Sequence, residues 1–309
     1  MKRLYPLVLL FAVGLVGCDT TATEPESQVV VEAYLRGGAP LSKIRLTRSV
    51  GTDEAYTTAS AAVEDATVEV HRRAEDGTTA QTIPFDETDP GIYRPVPTPT
   101  PVVQPLTTYE LSVTTPDGAE VTATTTVPDN ISIVKAQNRE VLYQGPDQPS
   151  FTITPPRSDP DEQAVIVLTT TSLLDFGRAA PELREGLTPF YKDTYNPEED
   201  SIEAFRTTSS GILNEANFSR DEAGRITTQL PWISVAFYGP NESAVHVIDD
   251  NLYDLVRSQQ AQSPGGQGGL GPGEIPNVIE YVEGGTGVFG SYVRATREVS
   301  IQRPPDEPS

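Results

Sequence analysis

The chain has one cysteine, one tryptophan, one methionine and two histidines in 309 residues. A single cysteine excludes an intramolecular disulfide framework and any zinc site built from paired thiolates. Two histidines, His71 and His246, lie far apart in strand-like contexts, and neither has a second metal-ligand residue at useful spacing. No H-x-x-x-H pair or C-x-x-C occurs, so neither a metal nor a cofactor is expected. Lysine is scarce too: Lys2, Lys43, Lys135 and Lys192 are the full set. With 44 acidic against 22 basic residues the formal charge is −22. Nucleic acid and anionic lipid surfaces are therefore disfavoured partners for the protein body. High acidity with little lysine is similar to the composition of proteins from salty environments. Beyond the first twenty residues no apolar run is long enough to span a bilayer.

The one long apolar stretch is at the start. Lys2 and Arg3 precede a run from Leu4 to Val16, which ends in Leu15-Val16-Gly17-Cys18. A basic segment, an apolar segment, a small residue and then the only cysteine is the layout of a bacterial lipoprotein leader. Pro6 and Gly14 interrupt the run, which is too short for a transmembrane helix. Residues 1–17 are thus expected to be a signal peptide and Cys18 the lipid-attachment residue. One acyl chain binds a membrane only marginally, so stable anchoring needs several; lipoproteins carry a diacylglycerol and a further fatty acid such as palmitate. Loss of residues 1–17 removes Lys2 and Arg3 and takes the formal charge from −22 to −24.

Residues 18–28 (CDTTATEPESQ) are polar and acidic and predict a flexible tether. From Val29 onward the pattern is one of short β-type segments. Val29–Leu35, Ile44–Arg48, Ala66–His71, Ile92–Tyr93, Tyr109–Val113 and Val121–Thr124 are predicted strands. Thr115-Pro116-Asp117-Gly118 reads as a tight turn between the last two. Residues 29–128 thus predict an Ig-like or transthyretin-like β-sandwich. The prolines at 95, 97, 99 and 101 cannot occupy a central strand and are assigned to a loop or edge. A boundary is placed at Val127-Pro128-Asp129-Asn130.

Residues 129–303 predict a second, larger β-rich domain and residues 304–309 a frayed tail. Candidate strands are Ile131–Val134, Ser150–Ile153, Ala164–Leu168, Trp232–Tyr238 and Ser291–Ile301. Ala164–Leu168 is continuously apolar and so expected to be buried on both faces. A helix is predicted over Asp250–Gln262, capped by Asp249 or Asp250, followed by a glycine-rich loop at 267–273. Residues 175–225 read as long, polar and irregular, which marks a functional loop or a mobile insertion. The fold class is all-β, two sandwich domains with one helix.

Several motifs resemble chemistry only in spelling. Gly285-Thr286-Gly287-Val288-Phe289-Gly290 satisfies G-x-G-x-x-G, and Asp175-Phe176-Gly177 supplies D-F-G. A dinucleotide loop must open a helix, and a kinase needs a lysine after its glycine loop, whereas no lysine follows Lys192. The glycines are instead assigned to a tight turn or bulge where backbones approach closely. No G-x-S-x-G elbow occurs, and Ser209-Ser210-Gly211 does not reproduce one. Asp249-Asp250-Asn251 is an acidic loop without the spacing of a calcium-binding hand. No catalytic residue is assigned. Tyr191, Tyr195 and Trp232 are candidates for stacking on a glycan.

The order of Val29–Leu35, Ile44–Ser49, Val63–Val70, Gly91–Arg94, Thr108–Gly118 and Gly284–Tyr292 resembles the bacterial outer-membrane lipoprotein family known as domain of unknown function 4249. Tyr253 and Leu255 fit a tyrosine-bearing segment that precedes the glycine motif. The resemblance covers nearly the whole mature chain, but not the 175–225 insertion or the proline cluster. It implies a protein anchored through Cys18 that works beside a TonB-dependent outer-membrane receptor, as a non-enzymatic accessory or as a captor of a glycan or peptide ligand. Two rival expectations are a hydrolase of polysaccharides or esters with its site in residues 175–225, and a structural or adhesion module.

Overall fold

The structure, a computed structural model, describes residues 27–51, 56–155, 164–262 and 281–305. The leader, Cys18, most of the acidic tether, the glycine-rich loop at 267–273 and the end of the tail lie outside the described residues.

Alternation of apolar and polar residues sets the first half. In β1 (Val29–Arg36) the side chains of Val29, Val31, Ala33 and Leu35 are buried, while those between them are not. The next strands are β2 (Ile44–Arg48), β3 (Thr67–Arg73), β4 (Thr79–Asp89), β5 (Ile92–Pro95), β6 (Thr108–Thr114) and β7 (Glu120–Thr126). All pair antiparallel. The turn between β6 and β7 uses Gly118 at φ +87°, with the Gly118 N–H donating to the Thr115 carbonyl at 2.9 Å. Pro95, expected in a loop or edge, instead ends β5 opposite Phe85, beyond the residues that pair with β2. The prolines after it leave the sheet in a loop, pinned where the buried Val103 donates its N–H to the Ala39 carbonyl at 2.8 Å.

The second half contains β8 (Ile133–Gln137), β9 (Glu140–Leu142), β10 (Ser150–Ile153), β11 (Val165–Ser172), β12 (Thr207–Asn214), β13 (Ile226–Gln229) and β14 (Gly239–Ile248). The short β15 (Val282–Glu283) and long β16 (Thr286–Gln302) close the described chain. As its apolar run requires, β11 is buried on both faces from Val165 to Leu168. Helix α1 spans Ala180–Glu185, α2 Pro189–Thr194 and α3 Asp250–Gln262.

One large sheet carries the order β12-β11-β14-β16-β1-β2-β5-β4-β3-β6-β7-β15, with β9 joined to the far end of β16; β13-β10-β8 form a small second sheet. β16 is the common member. Its first part runs parallel to β1, from Val30 opposite Thr286 to Arg36 opposite Tyr292. Its remainder runs antiparallel to β14, from Ile248 opposite Tyr292 to Gly239 opposite Ile301. Tyr292 is therefore the position at which β16 changes partners.

Gly284 and the glycines of the G-T-G-V-F-G run after it make this possible, as the close-approach reading of that run expects. Gly284 sits at φ +75°, and a Cβ on it would lie 2.1 Å from the Glu120 carbonyl oxygen. A Cβ on Gly285 would lie 2.6 Å from the Val29 carbonyl oxygen and 3.2 Å from a Val121 methyl. The chain thus passes close between β1 and β7, and the curled sheet brings the start of β16 against β7. The expected boundary at residues 127–130 falls in the connection from β7 to β8. Across it one core runs unbroken, from Val31, Leu46 and Tyr109 to Phe151, Val245 and Ile301.

Two expectations require correction. Trp232–Tyr238 is not a strand. Pro231 leads into a 3-10 turn over Trp232–Ser234, closed by the Ser234 N–H and hydroxyl, both donating to the Pro231 carbonyl at 2.9 and 2.7 Å. The apolar run after it is buried without a ladder, because burial and not pairing accounts for its composition. Residues 175–225 are not irregular. They hold α1, α2, a 3-10 turn at Ile202–Arg206 and β12, around a small core of their own. Helix α3, by contrast, spans the residues expected of it.

Candidate functional site

The second small core organises the part of the surface closest to ligand-binding chemistry. Pro181 and Pro189 occupy the opening turns of α1 and α2, where a missing N–H costs nothing. Between the helices Gly186 and Leu187 turn back onto the Val235–Tyr238 segment. The Tyr238 N–H donates to the Gly186 carbonyl at 2.9 Å, and the Thr188 N–H to the Ala236 carbonyl at 2.8 Å. The Thr188 hydroxyl donates to the Val235 carbonyl at 2.9 Å. Leu183, Leu187, Tyr195, Ile202, Ala236 and Phe237 fill the interior. A salt bridge of 2.9 Å between Lys192 and Glu185 joins α2 to α1 and holds the Glu185 carboxyl below its usual range. The buried Glu215 accepts the Ala164 N–H at 2.8 Å and pairs with Arg220, fastening the end of β12 to the start of β11.

Aromatic rings brace this unit edge to face. Tyr191 and Tyr195 each meet Phe205, at 5.6 and 5.9 Å between ring centres, and Phe176 meets Phe237 at 5.4 Å. The Arg206 guanidinium lies 5.0 Å over the Phe176 ring. Of the three stacking candidates, Tyr195 is buried and Trp232 is half-buried against Tyr143, 5.2 Å away. Tyr191 is partly buried, which pushes its hydroxyl pKa up, and that hydroxyl donates to the Ile233 carbonyl at 2.5 Å. The residues that reach solvent are two others: Phe190, 50% exposed, and Ile233, 53% exposed. Phe190 packs edge to face on Tyr191 at 5.1 Å, so Tyr191 touches the Phe190 ring on one side and the Ile233 backbone through its hydroxyl. The sequence carries no signal for this pair. Phe190 belongs to a six-residue helix, and Ile233 to a run that reads as core.

A second constellation lies where the two halves meet. Asp249 precedes α3, and its carboxylate accepts the Leu252 N–H at 3.0 Å, a side-chain cap. The same carboxylate accepts the hydroxyls of Thr125 on β7 and of Ser291 on β16, the latter at 3.2 Å. The Ser291 hydroxyl reaches the Thr126 carbonyl at 3.1 Å, and the Asn251 amide donates to Thr124 and Phe289 carbonyls, both at 2.7 Å. Burial raises the Asp249 pKa to about 6 in spite of these donors. This is a buried polar knot between β7, β16 and α3, not an open calcium loop. Beside it, the Tyr281 hydroxyl donates to Asp254 at 2.8 Å.

The remaining sequence candidates have structural partners. His246 is half-buried, with Nε2 2.8 Å from the Thr169 hydroxyl; desolvation, and then the Arg294 charge, lower its pKa to about 4. His71 Nδ1 lies 3.1 Å from the Thr82 hydroxyl. The Ser210 hydroxyl accepts the Leu168 N–H at 3.0 Å and donates to the Gly211 carbonyl at 2.8 Å. Asp175 accepts the Gly177 N–H at 2.9 Å in a local turn. Among the described residues no cluster of three His, Cys, Asp or Glu side chains is placed to hold a metal ion. No described helix is long and apolar enough to cross a membrane.

Comparison with known proteins adds the family. No curated protein matches the chain. Among solved structures it is similar to trypsin-activated alpha-2-macroglobulin of Escherichia coli, at 10% identity and TM-score 0.21 over 72% of this chain and 14% of that one. It is also similar to the methylamine-reacted Salmonella alpha-2-macroglobulin, at 11% identity and TM-score 0.24 over 89% and 15%. A tetra-tandem repeat from the extending region of a large adhesion protein matches at 10% identity and TM-score 0.21, over 88% and 48%. The chain thus spans less than a quarter of the macroglobulins' length, and likeness at this level carries no functional argument. The model of the family "domain of unknown function (DUF4249)" matches residues 18–298, and the chain belongs to that family.

Proposed function

We propose that the protein is an envelope lipoprotein, held to the outer membrane by acylated Cys18, that serves a TonB-dependent receptor as a non-enzymatic accessory or captor of a glycan or peptide ligand. The observation that carries the reading is the pairing of an anchor sequence, Leu15-Val16-Gly17-Cys18, with the Phe190–Ile233 face on a braced aromatic unit. An acidic tether lets a water-soluble body range over the membrane while its net charge keeps it off anionic headgroups. Aromatic and aliphatic side chains exposed on a rigid support lose little entropy on contact and suit a protein–protein or protein–glycan surface.

Two measurements test the parts separately. Mass spectrometry of the native protein should find a chain beginning at Cys18 with acyl chains on it; an intact leader or unmodified sulfur removes the anchor. Affinity capture from detergent-solubilised outer membranes should recover a receptor, and Phe190→Ala with Ile233→Asp should lose it. Recovery of no receptor by the native sequence refutes docking; undiminished recovery by the double variant refutes this face.

A further inference from the structure

The outward side of the β2/β5 pair concentrates the charge that the chain otherwise has little of. In this antiparallel pair Ile44 lies opposite Tyr93 and Arg45 opposite Ile92. Ile44 and Tyr93 point into the core. Continued by one residue, the same register sets Lys43 opposite Arg94, on the same outward side as Arg45. These three cations line a groove of about 260 Å³. Ala59, Pro90 and Ile92 supply an apolar floor, and Thr58 adds a hydroxyl.

The groove's positive charge is largely unspent. Arg45 reaches Glu32 at 2.8 Å, but its buried Nε–H has no acceptor. Lys43 and Arg94 are exposed and make no hydrogen bond or ion pair with a described residue. Asp86, which the β4/β5 register places opposite Arg94, forms no ion pair with it. Like charges set directly across a strand pair destabilise a sheet. A chain with twice as many acids as bases has many carboxylates with which to neutralise such a pair, yet among the described residues only Asp89 stands on the groove wall.

We infer that this groove binds a small organic oxyanion: a carboxylate or phosphate monoester held by Lys43 and Arg94, with its apolar body on Ala59, Pro90 and Ile92. A guanidinium and an ammonium together supply the donors such a group needs. Asp89 and the surrounding negative field exclude extended polyanions and anionic bilayers. The inference stands independently of the anchor and of the Phe190–Ile233 face.

Calorimetric titration of the mature chain at low ionic strength tests it, with benzoate, phenyl phosphate and inorganic phosphate as probes. Benzoate or phenyl phosphate should bind saturably, phenyl phosphate more tightly than inorganic phosphate, and affinity should fall as salt is added. Which of the two organic anions binds better separates carboxylate from phosphate as the natural group. Lys43→Gln with Arg94→Gln should weaken binding at least tenfold. The same double variant should melt no lower than the parent, because the repelling pair is gone. Arg48→Gln, at the other end of β2 where Arg48 meets Asp117, should leave binding unchanged. Absence of saturable binding for both organic probes, or binding that survives the double variant, overturns the proposal.

Discussion

Asp249 is where a single ionisation bears on the whole molecule, because its carboxylate joins β7, β16 and the first turn of α3. Burial raises its pKa from 3.8 to about 6, so the folded state holds the proton more tightly than the unfolded chain. Its contribution to stability is therefore full below about pH 4 and is lost as the pH rises through about 6, a difference of about 3 kcal/mol. Asn at this position still caps α3 and still bonds the two hydroxyls, but carries no charge. Asp249→Asn should melt higher than the parent at pH 7 and show a flatter pH dependence between 4 and 6, measured by circular dichroism. A parent chain whose stability does not fall across that window contradicts the assignment. The cap was legible in the sequence. The Thr125 and Ser291 partners were not, since they are 124 and 42 residues away and only the fold brings them in.

At the scale of the element, β16 is the strand on which both halves depend, and its glycines decide whether it fits. Gly287 has φ +100°, and a Cβ there would stand 2.1 Å from the Val31 carbonyl oxygen. Gly287→Ala should cost at least ~2 kcal/mol through backbone strain and separation of β16 from β1. Urea unfolding monitored by Trp232 fluorescence would show a lower midpoint; an unchanged midpoint would mean that β16 does not run against β1 in this register. The apolar run Trp232–Tyr238 shows the opposite limit of local reading. Val235 to Tyr238 are buried as hydropathy implies while Ile233 is exposed, and Pro231 and the Ser234 hydroxyl turn the backbone away from a strand. Composition reports burial; ladder hydrogen bonds require a neighbour that the run itself does not specify.

Across the whole molecule, the parallel pairing of β1 with β16 joins residues more than 250 positions apart. A sandwich made from residues 29–128 alone would leave β1 with an open edge and its core uncovered on the side of Val288 and Phe289, both buried. The fragment 29–128 should therefore show no cooperative melt, whereas residues 18–309 should unfold in a single transition, both followed by circular dichroism and calorimetry. A fragment that melts cooperatively on its own would establish residues 29–128 as an autonomous domain. Both candidate surfaces are likewise assembled from segments separated in sequence. Phe190 and Ile233 meet through Tyr191, and Lys43 and Arg94 through the register of β2 with β5.

What the amino-acid order determined by itself was local. Alternation specified most of the strands, and Asp249 and the residues after it specified α3; the basic-apolar-Gly-Cys start carries only the proposal of an anchor at Cys18. Period and composition act over a few residues, so these features need no partner to be read. The tertiary structure alone decided that β16 changes partners at Tyr292, that residues 175–225 wrap a core of their own, and which aromatics and cations face solvent. Those outcomes depend on sheet closure and strand register. Both are set by contacts between segments far apart in the chain, and so leave no periodic trace in any one of them.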